Sequence, residues 1–501
     1  MRFRSEVIKK IFPLIMILIM PGISSSAQEM YGTALGNYSG VNGIQLNPSS
    51  MNNSKTYIDV NFLSGDLFLQ QNYLYLKNSE FSLSDIFRKG YTFPAHTEYG
   101  TSGLTFYHYA NQNNRQAYEN IRLNGPGVMV AFGPHTLALT TSVRSVFSVT
   151  DIPYEIANFT YIGLKYKPQQ NIFYNDKNYA GMAELTWLDI GLSYSTVLYG
   201  RNFDVLAGGI SIRRLEGYSG AYMYMNKADY KVPDDTTVII RNMDANYGYS
   251  LPLDYNAQKY WGSDMIKGSG FAFDLGFTYY RLNRLHQKQY FNHICEPQAE
   301  DYEYRIGVAL IDAGAISFYK HAAQYSIDNR SSQWDGLNHF QYSTIQQLMD
   351  TISYRFYGSK TAAYRGNSMT IWLPSALSIQ FDYHLQKKWY LNASLIYGFR
   401  FAPNSLTRPT QLAVTPRYET ENFEVDVPFS MYNKSMPRIG LAIRAYGITI
   451  GTDKLGWLFN FNDMTGMDIY FALKFSLNKG RCKTRATKNC QDYNMIHHSR
   501  R

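Results

Sequence analysis

The sequence predicts an all-β chain: a transmembrane antiparallel β-barrel of roughly 14–18 strands, within the even-numbered series such barrels follow. Three observations predict it. Segments about 9–11 residues long alternate apolar residues with small or charged ones, the length a tilted strand needs to cross a bilayer. Aromatic residues reach 16%, with 44 Tyr and 29 Phe, while only 17% of the 501 residues are charged, a composition too apolar for disorder. Beyond the first few dozen positions no apolar run approaches the roughly 18 residues of a membrane helix, which removes a polytopic helical transporter.

Taken in order, the chain opens with the parts of a secretory signal: basic Arg2, Arg4, Lys9 and Lys10, an apolar stretch from Ile11 to Met20, and the small residues Ser25-Ser26-Ala27. Residues 1–27 are therefore read as a cleaved signal peptide, and no Cys near the site suggests a lipoprotein. Residues 28–56 are rich in Gly, Asn and Ser and end in Asn47-Pro48-Ser49 before the first plausible strand at Tyr57.

Residues 57–477 carry the alternation. Phe271, Phe273, Leu275, Phe277 and Tyr279 alternate with Ala272, Asp274, Gly276 and Thr278. Leu188, Ile190, Leu192 and Tyr194 alternate with Asp189, Gly191 and Ser193, and Leu377, Ile379, Phe381, Tyr383 and Leu385 with Ser378, Gln380, Asp382 and His384. The same period runs through Leu391, Ala393, Leu395 and Tyr397, and through Met467, Ile469, Phe471, Leu473 and Phe475. One face of each strand is greasy and the other wet. A soluble antiparallel sheet also alternates, but here Trp187, Tyr199, Tyr279, Trp389, Tyr390 and Trp457 gather at strand ends, where amphipathic rings suit a headgroup boundary. Tight turns are expected at residues 133–136, 200–202, 312–315, 386–388 and 444–447, all on the periplasmic side. Longer loops are expected at 150–182, 328–370 and 455–466, the asymmetry of outer-membrane barrels. Two helical patterns interrupt the strands: residues 84–89, and Ile345, Leu348, Met349 and Ile352 at helical spacing.

Charge is local. The formal net charge is +9; residues 1–27 hold +3 of it and the tail at residues 478–501 holds +6, so residues 28–477 are neutral by count. This excludes a distributed phosphate-binding face and with it nucleic acid as a partner. The tail is read as a basic periplasmic extension that rests on anionic lipid or polymer or is simply solvated. Cys482 and Cys490 within it suit a small disulfide-closed loop in an exporting compartment, and Cys295 is left over.

Several short motifs resemble one group. Gly36-Asn37-Tyr38-Ser39-Gly40-Val41-Asn42-Gly43-Ile44 followed by Asn47-Pro48, then Thr415-Pro416-Arg417-Tyr418-Glu419, Gly451-Thr452-Asp453, and Asp468-Ile469-Tyr470-Phe471-Ala472-Leu473-Lys474 with Gly480-Arg481-Cys482 are similar to outer-membrane barrels of the Bacteroidota, a family of unknown function. That family is distantly similar to the long-chain fatty acid transporter superfamily, which includes a barrel of the type IX secretion system. The resemblance implies an N-terminal lumenal hatch over residues 28–56, with Asn47, Pro48 and Ser49 as its tip; Ser49 stands where the transporters have Ala. It also implies passive movement of an apolar small molecule across the outer membrane. The alternative is a non-transporting scaffold for a secretion or surface-assembly protein partner.

The inward charges Arg144, Asp189, Arg213, Arg214, Glu216, Asp274, Asp312, Asp382, Arg400, Asp468 and Lys474 are read as a lumenal network, serving either selectivity or closure of the interior by ion pairs. Arg213-Arg214 with Glu216 is the strongest selectivity candidate among them. Catalysis has little support: the His residues form no HExxH, no GxSxG elbow is present, and Ser378 and His384 are too far apart on one strand to hydrogen bond. His497-His498 is read as a solvated tail feature. No metal or cofactor is expected, and the lipid bilayer is the first partner.

Overall fold

The computed structural model describes residues 30, 34–81, 90–99, 101–201, 203–254, 259–260, 264–282, 302–337, 342, 344–433, 436–459 and 463–477. The expected signal peptide at residues 1–27, the expected helix at 84–89, Cys295, the tail with Cys482 and Cys490, and His497-His498 lie outside the described residues.

The described residues form a closed antiparallel barrel of fourteen strands. In chain order these are β1 (Ile58–Gln71), β2 (Arg115–Asn124 and Gly127–Phe132), β3 (His135–Ile152), β4 (Ala180–Arg201), β5 (Asp204–Lys231), β6 (Val238–Ser250 and Gly268–Leu282) and β7 (Tyr302–Phe318 and Ala322–Trp334). They continue as β8 (Tyr364–Gly366, Met369–Trp372 and Ala376–Gln386), β9 (Trp389–Gly398), β10 (Gln411–Glu419), β11 (Phe423–Asp426 and Phe429–Tyr432), β12 (Met436–Ile439 and Leu441–Ala445), β13 (Ile448–Thr452) and β14 (Gly466–Leu477). Closure is made by β14 against β1, from Ile58 opposite Leu477 to Gln70 opposite Gly466, with a one-residue slip between Asn61 and Leu63. With no edge left, the strands pair all around the wall, as lipid demands.

The period-two reading holds strand by strand. Ile190, Leu192, Ile212, Phe273, Phe277, Phe381 and Leu473 are exposed on the outer surface, while Asp189, Ser193, Ser211, Asp274, Asp382 and Asp468 are buried inside. An apolar exterior around a polar interior is the signature of a barrel standing in lipid. No helix among the described residues is long and apolar enough to cross a membrane.

One end carries the tight turns: β2 to β3, β4 to β5, β8 to β9 and β12 to β13 each turn within three residues or fewer of irregular chain. One expected turn is corrected. Residues 312–315 lie inside β7, where Asp312 takes φ 58° at a bulge and the β6–β7 register slips between Phe273 and Leu275. An Asp in the left-handed region followed by Ala-Gly-Ala imitates a turn in sequence, but here it kinks a strand that continues to Phe318.

The other end is taller. β5 is 28 residues long, far more than a bilayer needs, and its upper half with β6 and β7 forms a sheet beyond the apolar band. Helix α1 (Tyr154–Tyr161) packs on it through Phe159 against Tyr230 and Ala245. The expected helix at 345–352 is α2 (Ile345–Tyr357), capped by Thr344, whose hydroxyl accepts from the Gln347 N–H, and packed through Met349 on Tyr325 and Tyr247.

Candidate functional site

The lumen is closed at two levels. Toward the long-loop end, wall side chains fill it with an apolar cluster that includes Val146, Leu185, Trp187, Leu215, Ile316 and Phe318. Below, residues 34–56 enter the barrel as a hatch made of two 3₁₀ turns, Gly40–Gln45 and Pro48–Asn53.

The hatch tip sits in a cradle of glycines. Asn47 caps the second turn, accepting from the Ser49 N–H at 3.0 Å, and Pro48 follows at the first helical position where its missing N–H costs nothing. Three strands lack a side chain where the tip lies. A Cβ on Gly209 of β5 would stand 2.5 Å from the Pro48 carbonyl carbon and the Ser49 nitrogen, one on Gly276 of β6 would collide with the Asn47 side-chain oxygen, and one on Gly307 of β7 would lie 2.8 Å from Asn47 Nδ2. The Asn47 amide donates to Thr278 Oγ1 (3.2 Å) and Gln380 Oε1 (3.0 Å), and the Ser49 and Thr278 hydroxyls share a hydrogen bond of 2.6 Å.

The base of the hatch is held by charge. The Asn37 N–H and side-chain amide donate to Glu419 (3.0 and 2.8 Å), and Tyr302 donates to Asn37 Oδ1. Arg417 ties this region together: it pairs with Asp382 and Glu419, each at 3.0 Å, and donates to the Leu35 carbonyl, while Arg305 pairs with Asp382 at 2.8 Å. Lys474 donates to the Tyr38 and Ser39 carbonyls beside Asp59, whose carboxylate accepts from the Val41 N–H. Apolar contacts of Val41, Ile44 and Met51 with Met129 and Ala138 complete the seat.

A second ionic group lies higher. Asp312 accepts from Arg144 at 2.7 Å, Arg213 at 2.9 Å and Arg408 at 3.1 Å, and Arg213 also binds Asp189 (2.9 Å) and Asp274 (2.8 Å). Arg144 and Arg213, with Arg122, border a cavity of about 70 Å³ that separates the first hatch turn, at Val41 and Ile44, from the wall at Asn61, Asn124 and Thr140. At that point the ladder is interrupted: β2 stops at Asn124 and resumes at Gly127, the Gly125 N–H donates to the Thr141 carbonyl at 2.9 Å, and the Asn61 and Thr141 side chains donate to the Gly125 and Pro126 carbonyls. Lipid-facing Leu123, Val128, Leu139 and Val143 surround the break.

The structure thus gathers Arg144, Asp189, Arg213, Asp274 and Asp312 around one cavity, places Asp382 and Lys474 on the hatch, and buries Asp468 against the Asp453 N–H at the end of β13. Three expected lumen charges lie elsewhere. Adjacent residues of a strand point to opposite faces, so with Arg213 inward, Arg214 is outward, where it pairs with Glu216 at 2.7 Å. Arg400 lies beyond the end of β9, exposed and stacked over Tyr179. Arg122, Arg408, Arg417, Glu419 and the three cradle glycines carry the site without having been singled out for the lumen. Among the described residues no group of three His, Cys, Asp or Glu side chains is placed to hold a metal ion.

Fold and site together define a transmembrane β-barrel plugged by its own N-terminal segment. The chain belongs to a family described as a family of unknown function (DUF5723), which matches residues 48–453. No curated relative matches the chain. Among solved structures it is similar to a deletion mutant of the monoaromatic hydrocarbon channel TodX (8% identity, 92% of this chain and 97% of that one, TM-score 0.39) and to the toluene transporter TodX of P. putida (8%, 91% and 97%, 0.38). A FadL homologue of Pseudomonas aeruginosa gives 10% identity over 91% and 99% of the two chains, with a TM-score of 0.24. Likenesses this distant say nothing about cargo.

Proposed function

We propose that the protein is a passive outer-membrane conduit for a small molecule with an apolar body, gated by its hatch, with the tight turns facing the periplasm. The observation that carries this reading is the cavity between hatch and interrupted wall, with the apolar cluster stacked above it. A molecule entering from the long-loop end would pass apolar side chains, reach the cavity, and leave sideways through the break at Gly125-Pro126 into lipid or downward when the hatch moves. The interruption is held by one backbone hydrogen bond, from the Gly125 N–H to the Thr141 carbonyl, and by two from side chains, and such bonds contribute only about 0.5–1.5 kcal/mol each. The resemblance of residues 36–48 to a barrel family distantly similar to the fatty acid transporter superfamily supports the same reading.

The test is uptake of the neutral apolar probe N-phenylnaphthylamine into proteoliposomes. Thr140 lines the cavity, so Thr140→Trp fills it, and uptake should fall at least fivefold while the barrel remains folded by its heat-dependent gel shift. Unchanged uptake refutes the route. The second reading, a scaffold for a secretion or surface partner, is favoured by the tall sheet with α1 and α2 beyond the apolar band. It predicts no protein-dependent uptake at all, and a protein cross-linked to the long-loop end in cells.

A further inference from the structure

Asp66 on β1, Asp453 just after β13 and Asp468 on β14 are fully buried, and the other two act on Asp66 as like charges. Asp66 stands opposite Tyr470 in register; Tyr470 donates to Asp453 Oδ1 at 3.1 Å, and the Asp453 N–H donates to Asp468 Oδ2. Both oxygens of Asp66 and Oδ1 of Asp468 have no hydrogen-bond partner among the described residues. The cations facing them have other engagements. Arg122, opposite Asp66 on β2, donates to Gln45 of the hatch, Arg144 grips Asp312, and Arg438 and Lys454 donate to Gln70 Oε1 at 3.0 and 2.9 Å. A carboxylate taken out of water calls for an opposite charge with donors to match its oxygens. A metal ion suits the group poorly, because no three His, Cys, Asp or Glu side chains among the described residues are placed to hold one.

Met30 points to another cation. It is fully buried in the lumen, in the cluster that joins Tyr470 and Ala472 of β14 to Leu35 and Leu46 of the hatch, and its carbonyl accepts from the Ala34 N–H at 2.7 Å. Removal of residues 1–27 makes Gln28 the first residue, and two residues of chain reach at most about 7 Å from Met30. Hydrolysis of the Ala27–Gln28 bond consumes one water and leaves a carboxylate on Ala27 and a protonated amine on Gln28.

We propose that the α-ammonium of Gln28 pairs with Asp66 and Asp468 inside the barrel, so that removal of the signal peptide itself locks the upstream end of the hatch. The proposal rests on the reading of residues 1–27 as a cleaved signal and is independent of the cargo. An ammonium brings one positive charge and three donors, against the three carboxylate oxygens that have no partner. In the uncut chain the same nitrogen is a neutral amide with a single donor, and residues 1–27 would need room in the lumen as well. The hatch therefore seats firmly only after cleavage.

The experiment begins with intact mass and N-terminal sequencing of the barrel purified from membranes, which should show Gln28 first, with a free amine. A different first residue defeats the cleavage reading and the proposal with it. A pyroglutamyl terminus, formed when the α-nitrogen attacks the Gln28 side-chain amide and ammonia leaves, keeps the cleavage reading and overturns the ammonium. The free-amine protein is next unfolded, cyclised in warm phosphate or held as control, and refolded into vesicles; cyclisation removes the charge and adds no atom. Hydrogen exchange in the peptide spanning residues 34–46 should become at least about tenfold faster on cyclisation. In the protein carrying both Asp66→Asn and Asp468→Asn, the cyclised and free forms should agree within about twofold, since the partners are already gone. Unchanged exchange on cyclisation of the native chain, or the same acceleration in both backgrounds, overturns the pairing. Should the double variant not fold, acetic anhydride at neutral pH is applied to the native protein. Its α-amine should acylate at least about tenfold more slowly than that of the unfolded chain, and equal rates overturn the proposal.

Discussion

Gly209 is the position where a single methyl group should unseat the hatch. In Gly209→Ala the new Cβ would stand 2.5 Å from the Pro48 carbonyl carbon and the Ser49 nitrogen, both backbone atoms that no rotamer change can move aside. Overpacking of this kind costs about 1–3 kcal/mol. The roughly 0.5–1 kcal/mol that Ala gains over Gly within a strand is the same with the hatch seated or free, so it cancels in the opening equilibrium. The hatch should therefore open about 5–150-fold more often, the ratio that 1–3 kcal/mol represents. Hydrogen exchange read by mass spectrometry reports this directly, since the Ser50 and Ser54 N–H groups are bonded within the seated turn, to Asn47 and Met51. Exchange in the peptide spanning residues 47–54 should accelerate while β5 itself stays protected. Gly366→Ala, where no atom lies within 4 Å of the new methyl, is the control and should change nothing. A folded Gly209→Ala protein with native exchange in the hatch would refute the cradle.

The outer surface makes a second prediction: Phe273→Arg, at a side chain 49% exposed on the lipid face, and Leu395→Arg should each cost about 2–4 kcal/mol if they meet mid-bilayer. Urea titration of folding into vesicles measures this, and unchanged midpoints would contradict the orientation of these strands. At the long-loop end, burial and then nearby Glu155 raise the Asp176 carboxyl to about 6. A carboxyl raised in the folded state stabilises below its unfolded value near 4, and that stability is lost as pH rises through about 6. Exchange protection of the strand at Phe173–Asp176 should therefore decline between pH 4 and 6 and become flat there in Asp176→Asn; an identical pH profile in the variant would dismiss this cause.

Much of the barrel was legible because its rule is local. A two-residue period needs no knowledge of neighbours, so Phe273, Leu192 and Phe381 could be set outward and Asp274, Asp189 and Asp382 inward from sequence. The helix at Ile345–Tyr357 showed itself for the same reason. Reading failed where the period broke or ended. Arg214 cannot join Arg213 in the lumen because one strand turns neighbouring residues to opposite faces, Arg400 lies past the last pair of its strand, and the bulge at Asp312 imitates a turn. The cradle was out of reach because Gly209, Gly276 and Gly307 become neighbours only through the registers of three strands, Gly209 opposite Gly276 and Gly276 two residues from Thr278, the partner of Gly307. Arg417 stood inside a quoted motif, yet nothing local told which face it takes or that Asp382, Glu419 and Leu35 would converge on it.

The claim at the centre of this account is that the hatch tip blocks the route from its glycine cradle. Ser49 and Thr278 touch there through their hydroxyls at 2.6 Å. With Cys295, Cys482 and Cys490 replaced by Ser, Ser49→Cys and Thr278→Cys should form a disulfide in the intact membrane. The measurement is probe uptake by proteoliposomes carrying this protein, oxidised and then reduced. The account predicts that oxidation stops protein-dependent uptake and that reduction restores it; uptake that continues through the disulfide-locked barrel would contradict it.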